Sequence, residues 1–158
     1  MSSTAEKVAE IHAFLDQWHS AAAKGDFHFY FDSMTDDAQW LGTDANENWS
    51  KAEFAAFSKP YFDKGQAWNF TAVRRSVYVH ASGTIGWFDE VLDTWMKACR
   101  GSGVVEKEGG QWKVRHYVLS MTVPNGEGKD ELKQEILPFK GKYEDPMLAE
   151  MRQNPKRN

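Results

Sequence analysis

The chain has one cysteine, Cys99, in 158 residues. A lone cysteine excludes an internal disulfide framework and a multi-cysteine zinc site, and it fits a reducing compartment. There is no basic excess. The 19 Lys and Arg stand against 23 Asp and Glu, a formal net charge of −4, which argues against a sequence-independent nucleic-acid binder. No apolar stretch approaches the length of a transmembrane helix, and residues 1–10 lack the apolar run of a signal peptide. No glycine-rich phosphate loop is present, because Gly101-Ser102-Gly103 falls in a strand pattern rather than before a helix. No HExxH or HxH spacing occurs; His12, His19, His28, His80 and His116 are scattered, and the seven-residue step from His12 to His19 matches no known metal site. Ser120 has no nucleophile-elbow context. These absences predict a soluble, cytoplasmic domain with no metal or cofactor and no nucleic-acid or membrane partner. The length suits one domain able to bury roughly 68–70% of its unfolded surface without a covalent staple.

What is abundant is aromatic: 14% Phe, Trp and Tyr, with 7 Trp. Large rings fill cores, and they also line small-molecule pockets and interfaces.

The patterning predicts an α+β domain. Val8, Ile11, Leu15, Trp18 and Ala22 recur at helical spacing, so residues 4–24 read as an amphipathic helix capped by Thr4 and ended by Gly25-Asp26. A short second helix carries Phe27, Tyr30, Phe31 and Met34 on one side, and Thr35-Asp36-Asp37 breaks it. Two short strands, 38–42 and 46–49, flank a turn at 43–45. Ser50 and Glu53 form a capping-box pattern for a third helix, with Phe54, Phe57, Tyr61 and Phe62 on its buried side and a kink at Pro60. Segments 68–80, 84–96, 101–108 and 111–123 are rich in β-branched and aromatic residues and read as a four-stranded antiparallel meander. Turns fall at Ser82-Gly83, near Lys97, and at Gly109-Gly110, the last suited to type I′. A polar stretch at 125–129 precedes a short helix at 130–137, Pro138, a small helix at 147–153 and a frayed end at 154–158. Helices segregated to one face of a twisted antiparallel sheet leave a cavity between the layers.

Gly42-Thr43-Asp44-Ala45-Asn46-Glu47-Asn48-Trp49 resembles the GTDxxExW stretch of SnoaL-like domains, members of the nuclear-transport-factor-two-like superfamily with the cystatin-like cone fold. Trp87-Phe88-Asp89-Glu90 resembles their AWFDE strand. Arg100 to Val105 and Gly110 to His116 resemble their paired closing strands, and Ser120 to Asn125 resembles the terminal one. The association domain of calcium/calmodulin-dependent kinase II has a similar GxWxIxHxHxS ending. The resemblance covers residues 5–125. It implies a curved antiparallel sheet wrapped over N-terminal helices, a conical pocket and a homodimer packed through the sheet. It does not select an activity, because the superfamily holds isomerases, cyclases, dehydratases, epoxide hydrolases, binding proteins and assembly domains. Lys51 departs from the family's usual glycine. The domain is expected over 1–137, with an extension at 138–158; the tail beyond Asn125 is longer than the family's and long enough to cover the pocket mouth or a partner subunit.

Strand alternation assigns faces. Trp112, Val114, His116, Val118 and Ser120 share the face expected to look inward, leaving Tyr117, Leu119 and Met121 outside as the dimer face. The turn at Gly109-Gly110 pairs Val105 with Val114 and Gly103 with His116. Gly101 and Gly103 then leave room for a ligand or a neighbouring large ring. The resemblance favours Trp87 and Asp89 as inward; a bulge would invert that. Asp89 in an apolar cavity is then a general base, raised by desolvation, or else one half of a structural ion pair with Arg100 or Arg74. His116 is a proton shuttle or a core histidine bonded to a neighbour. Trp40, Trp49, Trp87, Ser120 and Arg100 are candidate ligand contacts, Arg100 as a carboxylate clamp. Trp18 is equally explained by packing, and Asp44 and Glu47 by turn formation at the pocket rim. Three readings follow: a domain binding a small apolar or aromatic molecule, an isomerase-, dehydratase- or cyclase-type enzyme using Asp89 with His116, and an assembly domain.

Overall fold

The computed structural model describes residues 2–125 and 129–155. Its first element is the expected amphipathic helix, α1 (Thr4–Lys24), which buries Ile11, Leu15, Trp18, His19, Ala21 and Ala22. The cap is Ser3 rather than Thr4: Ser3 and Glu6 close a capping box, with Glu6 N donating to Ser3 Oγ at 3.2 Å and Ser3 N donating to Glu6 Oε2 at 2.6 Å. Asp26 accepts from Phe29 N and starts α2 (Phe27–Asp32).

The break expected at Thr35–Asp37 is strand. β1 (Met34–Leu41) begins four residues earlier than the sequence pattern suggests, because Met34 and Thr35 are buried and carry the chain straight into the sheet. β2 (Asn48–Ser50) pairs antiparallel with β1. The capping box of Ser50 and Glu53 starts α3 (Lys51–Asp63), which runs on through Pro60. The buried row of α3 is Phe54, Ser58 and Phe62, at a spacing of four. Phe57 and Tyr61, expected on that side, lie one row over and are 47% and 45% exposed.

The meander follows as β3 (Thr71–Val79), β4 (Ile85–Thr94), β5 (Lys97–Glu108) and β6 (Gln111–Met121). Gly109 and Gly110 both have positive φ, 58° and 80°, as the tight β5–β6 turn requires. The early hairpin is not separate from the meander. β1 lies parallel to β6, giving one six-stranded mixed sheet in the order β2-β1-β6-β5-β4-β3.

One bulge corrects the face assignment of β6. Val105 pairs with Val114 as expected, but Val104 pairs with His116, so Arg115 is the extra residue and Gly103 faces Tyr117 rather than His116. The inward residues are therefore Trp112 and Val114, then Tyr117 and Leu119. Tyr117 and Leu119 are core, which removes them from the expected dimer face; Met121 stays exposed. β4 is also opposite to expectation. Gly86, Phe88, Glu90, Leu92 and Thr94 are buried while Trp87 and Asp89 are exposed. Phe88 and Leu92 make that face the more apolar one, and Glu90, midway between them, is carried inward.

The chain divides into two units between Thr122 and Val123. In the second, a single helix, α4 (Lys129–Gln153), replaces the two short helices expected and spans the boundary expected at 137/138. Pro138 and Pro146 each remove one ladder bond without ending it. Residues 126–128 of the expected polar stretch and 156–158 of the expected frayed end lie outside the described residues.

Candidate functional site

Two neighbouring regions of the first unit hold the candidate side chains. The first is a cleft of about 230 Å³. β1 and β2 bring Trp40 and Trp49 to it, and α3 brings Phe54, Phe57 and Tyr61. Trp68 and Phe70 come from the irregular segment ahead of β3, and Trp95 from the β4–β5 turn. The rings stack on one another: Trp40 on Phe54 at 4.2 Å, and Trp49 on Phe57 at 4.6 Å. Glu47 supplies the carboxylate of the wall, and no Lys, Arg or His is among its lining residues. Glu47 Oε1 accepts from Asp44 N at 2.8 Å, so the turn expected here and the rim of the cleft are built by the same residues. The hollow along α1 is instead shallow and edged by Asp16, Lys24 and Asp26.

The second region is a polar centre in the core. The Glu90 side chain is fully buried. Its Oε1 is 2.7 Å from His19 Nε2 and accepts from Tyr117 Oη at 2.9 Å. Its Oε2 accepts from Arg75 Nε at 2.8 Å, and Arg75 Nη1 also donates to the His12 carbonyl and to Asp16. Burial by itself would push the Glu90 carboxyl up. The His19 hydrogen bond and charge and the Arg75 guanidinium outweigh it and hold the group at about 2, well below the usual carboxylate range. Burial, then the Glu90 charge beside it, pushes the Tyr117 phenol up. Gly101 makes this possible sterically, since a Cβ there would overlap Tyr117 Oη and crowd Glu90 Oε1. The space left by Gly101 and Gly103, expected for a ligand or a ring, is taken by Tyr117, Glu90 and Phe88.

The two regions touch. Trp40 lies 5.8 Å from the Tyr117 ring, and Phe70 lies 6.3 Å from His19. Four buried polar atoms in this zone have no protein partner: His19 Nδ1, Trp40 Nε1, Trp68 Nε1 and Arg75 Nη2. The Trp40 N–H lies by the Tyr30 hydroxyl without reaching hydrogen-bond geometry.

Of the residues singled out from sequence, Trp40 and Trp49 meet in the cleft. The others do not join them. Trp87 is on the outer face, stacked on Tyr78 at 6.0 Å. Asp89 is exposed opposite Ser76 and Ser102, and Arg100 is exposed opposite Val91 and Ser120. His116 is half-buried beside Gln39 and Val104, and Ser120 is exposed. The ion pair expected of Asp89 with Arg74 or Arg100 exists one position over, as Glu90 with its cross-strand neighbour Arg75. His19 was findable: it stands four residues after Leu15, on the apolar face of α1.

Among the described residues, no helix is long and apolar enough to cross a membrane, and no group of three or more His, Cys, Asp or Glu stands ready for a metal ion. The fold matches solved structures of low sequence identity. An NTF2-like protein of unknown function from Pseudomonas putida KT2440 aligns with TM-score 0.62 and 20% identity, over 82% of this chain and 94% of that one. A candidate dehydratase of the NTF2-like family from Streptomyces avermitilis aligns with TM-score 0.67 and 11% identity, over 77% and 100%. The association domain of C. elegans CaMKII aligns with TM-score 0.62 and 17% identity, over 75% and 98%. No curated protein shows significant sequence similarity to the chain. The model of the SnoaL-like domain matches residues 11–124, and on that match the chain belongs to the SnoaL-like domain family.

Proposed function

We propose that the protein binds a small apolar or aromatic molecule in the aromatic cleft. The observation that carries this is the set of rings left uncovered around one opening: Phe57, Tyr61 and Trp95 are 47%, 45% and 79% exposed, and all three line the same hollow. Rings exposed to water forgo the burial that stabilises a fold, and grouped around a concavity they mark a ligand site. Calorimetric titration of 2-naphthol tests it. Phe57→Ala weakens binding about tenfold, the loss of one ring contact. Trp87→Ala, on the outer face, leaves it unchanged. Equal effects of the two changes would refute the assignment.

A catalytic reading is favoured by a different observation, the unpaired Nδ1 of buried His19. An ionised Glu90 only accepts, so His19 Nε2 carries the proton between them, which makes Nδ1 the nitrogen that holds the lone pair whenever the ring is neutral. Glu90 thus positions His19, and His19 Nδ1 is the proton acceptor, in place of Asp89 and His116. Exchange of the α-protons of 2-tetralone into D2O, followed by NMR, tests this. The reading requires exchange above the buffer rate that His19→Asn abolishes.

A further inference from the structure

The charges around the cleft narrow its ligand class, an argument that rests on the reading of the cleft as a ligand site. An anion entering would meet the Glu47 carboxylate, with the Trp40 and Trp68 N–H groups as neutral donors in the wall. It would shed its hydration with no Lys, Arg or His in the wall to replace it. A cation meets the opposite situation, because ring faces and a carboxylate both attract it as it loses water. The rim already attracts one: the Lys64 ammonium lies over the Tyr61 ring, 5.8 Å from its centroid. Glu47 is half-buried and held in place through the Asp44 N–H, a neutral donor that leaves its charge in force. The volume of about 230 Å³ falls below the roughly 300–1,000 Å³ of pockets for drug-sized ligands, which limits the guest to a single small body.

We propose that the cleft selects organic cations, a quaternary or tertiary ammonium carried on a small aromatic or apolar body. The exposed rings Phe57, Tyr61 and Trp95 supply the π faces and Glu47 the counter-charge. Lys64, resting on Tyr61, competes for one of those faces.

The test is calorimetric titration of the full chain with four probes of similar size: phenyltrimethylammonium, its uncharged carbon isostere tert-butylbenzene, acetophenone and benzoate. Phenyltrimethylammonium binds about tenfold more tightly than tert-butylbenzene or acetophenone, and benzoate binds most weakly. Glu47→Gln, which keeps an acceptor for the Asp44 N–H, removes most of that preference, while Lys64→Gln strengthens phenyltrimethylammonium binding. The comparison of isosteres needs no variant, so a misfolded Glu47→Gln protein leaves the test intact. Equal or tighter binding of tert-butylbenzene or benzoate overturns the proposal. So does tighter binding of acetophenone, which would assign the unpaired Trp40 and Trp68 N–H groups to a carbonyl acceptor. Binding of all four without charge preference removes this inference alone. Binding of none removes the cleft as a ligand site as well.

Discussion

The polar centre and the aromatic cleft are built from adjoining residues and treat their side chains in opposite ways. At the centre, Glu90 has His19, Tyr117 and Arg75 on its two oxygens and no exposure. In the cleft, rings of the same chemical type as the core lie partly open, and Trp95 is 79% exposed. A buried charge persists only when its partners are in place, so the centre is demanding structurally and tolerates little change. The rim rings Phe57, Tyr61 and Trp95 keep about half or more of their surface open. The contrast separates the residues that hold the sheet over α1 from those proposed to meet a ligand.

The strongest way to break this division is at Glu90. Glu90→Ala leaves Arg75, whose side chain is 3% exposed, with the exposed Asp16 as its counter-charge, takes the acceptor from Tyr117 and His19, and should destabilise by about 3–5 kcal/mol. Urea denaturation measures it, and a loss below about 1 kcal/mol would mean the centre is not structural. Acid sharpens the same point. Because the folded group titrates at about 2 and the unfolded group at 4.5, its contribution is present above pH 4.5 and is lost as pH falls toward 2. The sum is about 3 kcal/mol. Denaturation curves across that window should show this slope, and Glu90→Gln should flatten it.

Gly101→Ala should cost about 1–3 kcal/mol by overpacking against Tyr117 and Glu90. In a Tyr117→Phe background, where the hydroxyl it meets is gone, the same change should cost less. Additive losses would contradict the contact.

At the small end, Asp89→Asn and Trp95→Ala should each shift stability by no more than about 0.5 kcal/mol. Only Trp95→Ala should weaken 2-naphthol binding.

Much of this was legible in the sequence. The three N-terminal helices, the capping box of Ser50 and Glu53, the strand succession and the GTDxxExW turn follow from local patterns and family resemblance, whereas the α1 cap is Ser3 rather than Thr4. What misled was parity. One extra residue, Arg115, reverses the faces of β6 beyond Val114. In β4, Trp87 and Asp89 drew attention to the wrong face, although Phe88 and Leu92 outweigh them in apolar character. The polar centre was therefore read one position off in β4, as Asp89 with Arg100 or Arg74 instead of Glu90 with Arg75. Another member, His19, comes from a helix position 71 residues from Glu90, and only the packing of α1 on the sheet brings it there. Trp68 and Trp95 were missed as cleft residues because the sequence pattern places both at the ends of strands, 68–80 and 84–96, where the structure has an irregular segment and a turn.

The most direct test of the division uses the seven tryptophans themselves. Each indole N–H gives its own signal in an NMR spectrum of the 15N-labelled protein, and 2-naphthol is the titrant. Binding in the cleft should move the signals of Trp40, Trp49, Trp68 and Trp95 while those of Trp18, Trp87 and Trp112 hold still. Movement centred on Trp87, or on Trp18 beside the polar centre, would contradict the account.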